Sequence, residues 1–256
     1  SGTNNTAVGA FALDANTTGT QNVAVGYQAL SANTTASGNI GIGTDALLNN
    51  TTGNGLTAVG QNCLKANVTG AFNTGLGSGS LFANTASNNT AVGYDSLISN
   101  TSGDNNTAIG STALDANTTG RDHVAIGKSA LGSNTTGNFN VAVGRNSLAT
   151  NSTGESNVAI GLSALTANTT ASNNTAVGRA ALHNNTTGTQ NVAVGSFALD
   201  ANTTGSQNNA VGYNALTANT TGINNDAHGH ASMLSNTSGS YNIAMGRASL
   251  DANTSG

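Results

Sequence analysis

The sequence predicts an all-β protein, a parallel β-solenoid with one coil for each of about 15 repeats of 17 residues. The stretch NVAVG at 22–26 returns as NIGIG at 39–43, and its last glycine recurs at a spacing of 17 along the whole chain. We call this residue the marker glycine. The spacing falls to 16 once, between Gly77 and Gly93.

The apolar pattern around the marker glycine predicts the strands of each coil. The residue before the glycine is Val, Ile, Leu or Met in fourteen repeats, and the residue four after it is Leu in fourteen and Met233 in the other. Val23 and Val25 flank Ala24, which is the alternation of a short strand with one face limited to small side chains. We expect Val25 and Leu30 inside, and a second short strand through Ala29 and Leu30.

Asparagine and glycine predict the corners of the coil. Asn33 has a counterpart in every repeat, and Asn22 has one in all but two. Equal positions of stacked coils lie about 4.8 Å apart, so these side chains can bond along a ladder and cap the corner backbone. Gly19 ends an Asn-Thr-Thr-Gly corner, where we expect a positive φ. The 16-residue repeat lacks one residue within 83–89, at such a corner, where a deletion is tolerated.

The repeats run through residues 1–256, so we expect a single repeat array without a signal peptide or membrane insertion. Neither end carries a capping repeat, and we therefore expect this array to be a segment of a longer protein. The aromatic content is only 4%, which makes each coil thin in apolar contacts. Association with identical chains would offset this deficit.

The motifs Asn22-Val23-Ala24-Val25-Gly26 and Asn157-Val158-Ala159-Ile160-Gly161 resemble the head repeats of trimeric autotransporter adhesins. The NTAVGYxAL…TTG pattern is similar to repeats of bacterial surface proteins and phage tail fibres. The resemblance covers all 256 residues and implies a left-handed β-roll in a side-by-side homotrimer. It also implies a structural or adhesive fibre segment, a rigid rod that displays a binding surface for a host or cell surface. The expected location is extracellular, on a cell surface or a virion.

An enzyme is not expected from this sequence. Four histidines, ten carboxylates and one cysteine are scattered over the repeats, without a Ser/His/Asp order, a Cys-x-x-Cys pair or a phosphate loop. Cys63 stands where other repeats carry Ala or Ser, so we expect a small buried side chain. The net charge of −4 argues against nucleic acid as a partner.

One position collects exposed charge and aromatic rings, the position directly after the marker glycine. We expect it either to keep the fibre soluble or to contact a surface glycan or receptor. The candidate ligand-contact residues are Lys128, Arg145, Arg179, Tyr27, Tyr94 and Tyr213.

A candidate metal site lies in the most irregular repeat, NNDAHGHASM at 224–233. Asp226 and His228 are two apart in the strand, and His230 follows the marker glycine. With three chains in register, His228 and His230 would offer up to six imidazole nitrogens to one transition-metal ion. The alternative is a decayed repeat in which a neutral His228 bonds Asp226 within the core, and apart from this pair no cofactor is expected.

Two readings of the Asn-Thr-Thr corners stay open. An ice-binding solenoid would use regular threonine arrays such as Thr17-Thr18, Thr34-Thr35 and Thr51-Thr52. Fourteen of the fifteen corner asparagines also fit the N-glycosylation pattern, although the corner and ladder roles explain the same residues.

Overall fold

The computed structural model describes residues 2–256 and forms an all-β parallel β-solenoid of about 14 turns, each of about 17 residues. Each repeat contributes one strand of three residues, and no helix occurs in the described chain. The strands are β1 (Thr6–Val8), β2 (Val23–Val25), β3 (Ile40–Ile42), β4 (Thr57–Val59), β5 (Thr74–Leu76), β6 (Thr90–Val92), β7 (Thr107–Ile109), β8 (Val124–Ile126), β9 (Val141–Val143), β10 (Val158–Ile160), β11 (Thr175–Val177), β12 (Val192–Val194), β13 (Asn209–Val211), β14 (Asp226–His228) and β15 (Ile243–Met245).

The chain divides into two compact units, Ser1–His123 and Val124–Gly256, which we call unit 1 and unit 2. In unit 1, strands β1 to β7 pair in parallel with their sequence neighbours, and β8 to β15 do the same in unit 2. The register places equal repeat positions side by side, as in Ala7 beside Ala24 and Ala24 beside Gly41. The 17-residue period is therefore the period of the solenoid.

The strand buries its small central residue and turns its larger residues outward, so the expectation for Val25 is wrong. Ala24 is fully buried, whereas Val23 and Val25 are half-buried on the outer side. The interior opposite the strand is already occupied by leucine. A Cβ on Gly41 would already come within 3.2 Å of the Leu30 Cγ atom, so a side chain larger than Ala does not fit at this position.

Leu30 is fully buried as predicted, but the second strand is not formed. Residues 27–32 form a turn in which Gln28 and Leu30 adopt left-handed φ values of 56° and 53°. Ala29 and Leu30 are both buried, which adjacent residues of a strand cannot achieve on one face. The turn still bonds its neighbour, because the Leu30 amide donates to the Ala46 carbonyl at 3.0 Å.

Both asparagine ladders are confirmed. The Asn50 amide group donates to Asn33 Oδ1 at 3.2 Å and to the Gly53 carbonyl at 3.0 Å, so it joins neighbouring turns and closes its own corner. In the second ladder the Asn39 backbone amide donates to Asn22 Oδ1 at 3.0 Å. These side chains are fully buried, and their hydrogen bonds replace the water that they lose.

Glycine serves two different purposes in each turn. The marker glycine has a positive φ, 134° at Gly26, and a Cβ there would lie 2.6 Å from the Gly43 carbonyl oxygen of the next turn. Gly19 has no positive φ, so that part of the prediction is wrong. Glycine is favoured at Gly19 because a side chain would collide with the Ala36 carbonyl oxygen and with Asn16 Oδ1.

Candidate functional site

The outer side of each strand presents two columns of side chains, which we call the strand face. It consists of the first and third residues of every strand. In unit 1 its fourteen residues are all Val, Ile, Leu or Thr, without a charge. Ile40 and Ile42 are each 38% exposed, which is high for isoleucine in a repeated array. A sheet surface that faces solvent normally carries polar and charged side chains. The strand face of unit 1 carries no charged side chain, which is unusual for a surface exposed to water.

In unit 2 the strand face is equally apolar except at one cluster. Asn209, Asp226 and His228 replace the branched residues of β13 and β14. His228 Nε2 lies 2.9 Å from Asp226 Oδ1 and 3.0 Å from Asn209 Nδ2, and the Asn209 amide also donates to Asp226 Oδ1 at 3.0 Å. The bond between His228 and Asp226 is thus confirmed, but on the surface rather than in the core.

The predicted pairing of His228 and His230 is not formed within the chain. His228 Nε2 contacts Asp226 and Asn209, whereas the ring of His230 stacks on Tyr213 with centroids 5.4 Å apart. Gly229 lies between the two histidines with a φ of 133° and turns the chain. Among residues 2–256 no group of three or more His, Cys, Asp or Glu side chains is placed to hold a metal ion. A site shared between chains stays a prediction.

The position after the marker glycine forms an exposed column in each unit. Tyr27 and Tyr94 lie on unit 1, about half exposed. In unit 2 the exposed members include all four of its lysines and arginines. The column of unit 2 consists of Lys128, Arg145, Leu162, Arg179, Ser196, Tyr213, His230 and Arg247.

Residues of this column and of the position after it are in contact over four consecutive turns of unit 2. The Arg179 guanidinium lies over the Phe197 ring at 5.1 Å, and Phe197 meets Tyr213 edge to face at 6.2 Å. Tyr213 then stacks on His230. The rings contact one another along these four turns, while Tyr213 stays half exposed. Their effect is to hold the Arg179 guanidinium in position.

Sequence reasoning missed Phe197 and His230 as members of this cluster. Phe197 belongs to the next position of the repeat, and its neighbour Tyr213 lies sixteen residues away. The same relation joins Phe11 and Tyr27, whose rings meet edge to face at 6.0 Å. A search for aromatic residues sixteen positions apart, one fewer than the period of 17, would have found both pairs.

The Asn-Thr-Thr corners are occupied by their own hydrogen bonds. The first threonine donates its hydroxyl to the next turn, as Thr17 does to the Thr34 carbonyl at 2.9 Å. The corner asparagine Asn50 is buried and its amide nitrogen makes two hydrogen bonds. In the folded chain this nitrogen is not available to carry a glycan.

Cys63 is fully buried, as predicted, and its sulfur lies 3.0 Å from the Ser80 hydroxyl. Burial raises the pKa of the thiol to about 11, although the Ser80 contact opposes the shift. The thiolate that a nucleophile needs is therefore scarce at neutral pH.

Comparisons with protein-family models, with curated proteins and with solved structures find no match for this chain. Within residues 2–256 no helix has the length and apolar character needed to cross a lipid bilayer.

Proposed function

We propose that the chain is a non-enzymatic structural segment of an adhesive fibre at a cell or virion surface. Identical chains associate side by side through the strand face as a homotrimer of left-handed β-rolls, and the outer columns remain available to a receptor. The observation that carries this proposal is the uncharged, branched strand face of unit 1, repeated on seven strands and left uncovered by the chain itself.

The repeat itself indicates that the partner is another copy. The strand face repeats the same side-chain types at a strand spacing of about 4.8 Å. A partner must present side chains at the same spacing over many turns, and the strand face of a second copy does so. The number three follows from the resemblance to trimeric adhesins, since the strand face fits any small symmetric assembly.

A charge placed on the strand face tests this proposal. In a double variant Val158→Asp/Ile160→Asp, carboxylates would have to be buried without partners between chains, so we expect the assembly to dissociate. The matched control is Thr170→Asp/Asn173→Asp, which changes the charge equally at two exposed positions of the same turn. Sedimentation velocity measures the outcome. Equal association of both variants and the unaltered chain would contradict the proposal.

A second candidate function is ice binding, and one observation favours it. Four consecutive turns of unit 1 place a half-buried threonine outward on the strand, which adds a second regular array to that of the corner threonines. These threonines are Thr57, Thr74, Thr90 and Thr107. Thermal hysteresis of the unaltered chain tests this candidate, with Thr74→Lys/Thr90→Lys as the variant that should abolish it. Absence of hysteresis and of ice shaping removes ice binding from consideration.

A further inference from the structure

We propose that the column after the marker glycine in unit 2 binds a linear acidic polysaccharide. The column consists of the residues already named, with cations at Lys128, Arg145, Arg179 and Arg247. This inference rests on the proposed function in one respect, because it names the ligand class that a surface-binding fibre would meet. The strand face used for self-association contains none of these cations.

The distribution of charge supports this inference. Unit 2 contains four lysines and arginines, and all four occupy one position of the 17-residue repeat. The same position of unit 1 contains none. A charge distribution that served only solubility would spread cations over several outer positions, as the four carboxylates of unit 2 are spread over three.

The cations are also free to meet an external anion. Among the described residues no ion pair within 4.0 Å involves Lys128, Arg145, Arg179 or Arg247. In unit 2 no carboxylate stands at the position before the marker glycine or at the position directly after the column. The other two cations of the chain differ, since Lys65 bonds Asp45 at 2.8 Å and Arg121 lies 3.9 Å from Asp122.

Unit 1 provides a natural contrast at the same position. There Asp45 and Asp95 follow the column position directly. The hydrogen bond and negative charge of Asp95 raise the pKa of Tyr94, and the same carboxylate would repel an anion at this position. The anion-binding property is therefore confined to unit 2.

The spacing of the cations favours a polysaccharide over a nucleic acid. Lys128 and Arg145 lie on consecutive turns about 4.8 Å apart, and Arg179 lies two turns further. Each strand of a B-form duplex carries a phosphate about every 3.4 Å of helix axis, which is denser than one cation per turn. A chain of uronic acids carries one carboxylate for each sugar ring, which suits the sparser column.

Binding to heparin, a sulfated and carboxylated probe, tests the inference. We expect the unaltered chain to bind immobilised heparin with an affinity that falls as salt rises. In Lys128→Gln/Arg145→Gln we expect about tenfold weaker binding, because two exposed charge contacts are lost. The matched control Lys65→Gln/Arg121→Gln changes the net charge equally and should bind within about twofold of the unaltered chain.

Three results would overturn charge-dependent binding by this column. They are no heparin binding at low salt, an equal loss in both double variants, or equal binding to neutral dextran. Tighter binding to single-stranded DNA than to heparin would overturn the polysaccharide assignment. The mass of each variant in solution is measured in parallel. Charge-dependent heparin binding by a monomer would support this inference and contradict the proposed trimer. A trimer that does not bind heparin would support the proposed trimer and contradict this inference.

Discussion

At the scale of single residues, the solenoid depends on side chains that fill its interior from the turn rather than from the strand. Leu30 is fully buried in a left-handed conformation that branched or bulky residues rarely adopt. Such a conformation costs about 1–2 kcal/mol, whereas burying a leucine contributes about 1.5–3 kcal/mol. Burial thus offsets the strain, and the small Ala24 opposite leaves room for the leucine.

Two substitutions in one repeat test this division between inside and outside. Leu148→Ala should lower the free energy of unfolding by about 2–5 kcal/mol, because a fully buried leucine leaves a cavity. Val143→Asp should cost a monomeric chain less than about 1 kcal/mol, because residue 143 faces outward and its carboxylate stays hydrated.

Urea denaturation of the dissociated chain measures both effects. The comparison is made at concentrations where the unaltered chain and both variants are monomeric, so that association does not contribute. A larger loss for Val143→Asp than for Leu148→Ala would contradict the placement of the two side chains.

The buried cysteine gives a prediction with a defined pH range. Because the pKa of Cys63 rises from 9.0 to about 11, a thiol reagent at pH 8 should label the native chain far more slowly than the urea-unfolded chain. A folded-state pKa above the unfolded value means that stability falls as pH rises through about 9 to 11. Cys63→Ser should reduce this loss. Equal labelling rates for native and unfolded chains would contradict the buried thiol.

At the scale of the element, the shortened repeat shows how a turn absorbs a deletion. Strands β5 and β6 keep their register, with Thr74 beside Thr90, so the missing residue affects only the corner. There Asn84 bonds the Ala86 carbonyl at 2.9 Å but does not reach the preceding turn. Asn67 Oδ1 is consequently buried without a hydrogen-bond partner.

Restoring the missing residue should repair this ladder. The segment ANTTASNN at 167–174 is the same corner with one additional threonine, and there Asn168 does bond Asn151 Oδ1, at 2.8 Å. A threonine inserted between Thr85 and Ala86 should raise the free energy of unfolding by about 1 kcal/mol, because an orphaned buried acceptor gains its partner.

The matched control is the same insertion between Thr170 and Ala171, in a corner that is already complete. We expect this control to destabilise the chain. A stabilisation from both insertions, or from neither, in urea denaturation would contradict the ladder as the source of the effect.

The sequence predicts the period, the buried leucines and the asparagine ladders, because these depend on relations between equal positions of successive repeats. It does not predict the path of the backbone within one repeat. Alternation of Val23, Ala24 and Val25 fits either face, and only the left-handed turn at Gln28 and Leu30 decides which residues point inward. The cation column also depends on equal positions and was predicted. The contacts of Phe197 with Arg179 and Tyr213 join different positions of the repeat and were not predicted.

At the scale of the whole molecule, the two units share one apolar surface type and differ in charge. Unit 1 has two cations and six carboxylates, and unit 2 has four of each. The strand face is nearly uncharged in both units. Assembly therefore depends on a feature that is repeated in every turn, whereas ligand contact depends on residues that vary between turns.

The most direct test of the central claim is the mass of the unaltered chain in solution, measured by sedimentation equilibrium over a wide range of concentrations. Three chains of 24.9 kDa give an assembly of about 75 kDa, and this is the mass that the account predicts at micromolar concentration. A folded species of 24.9 kDa at every concentration would contradict it, because the strand face would then be exposed to water throughout.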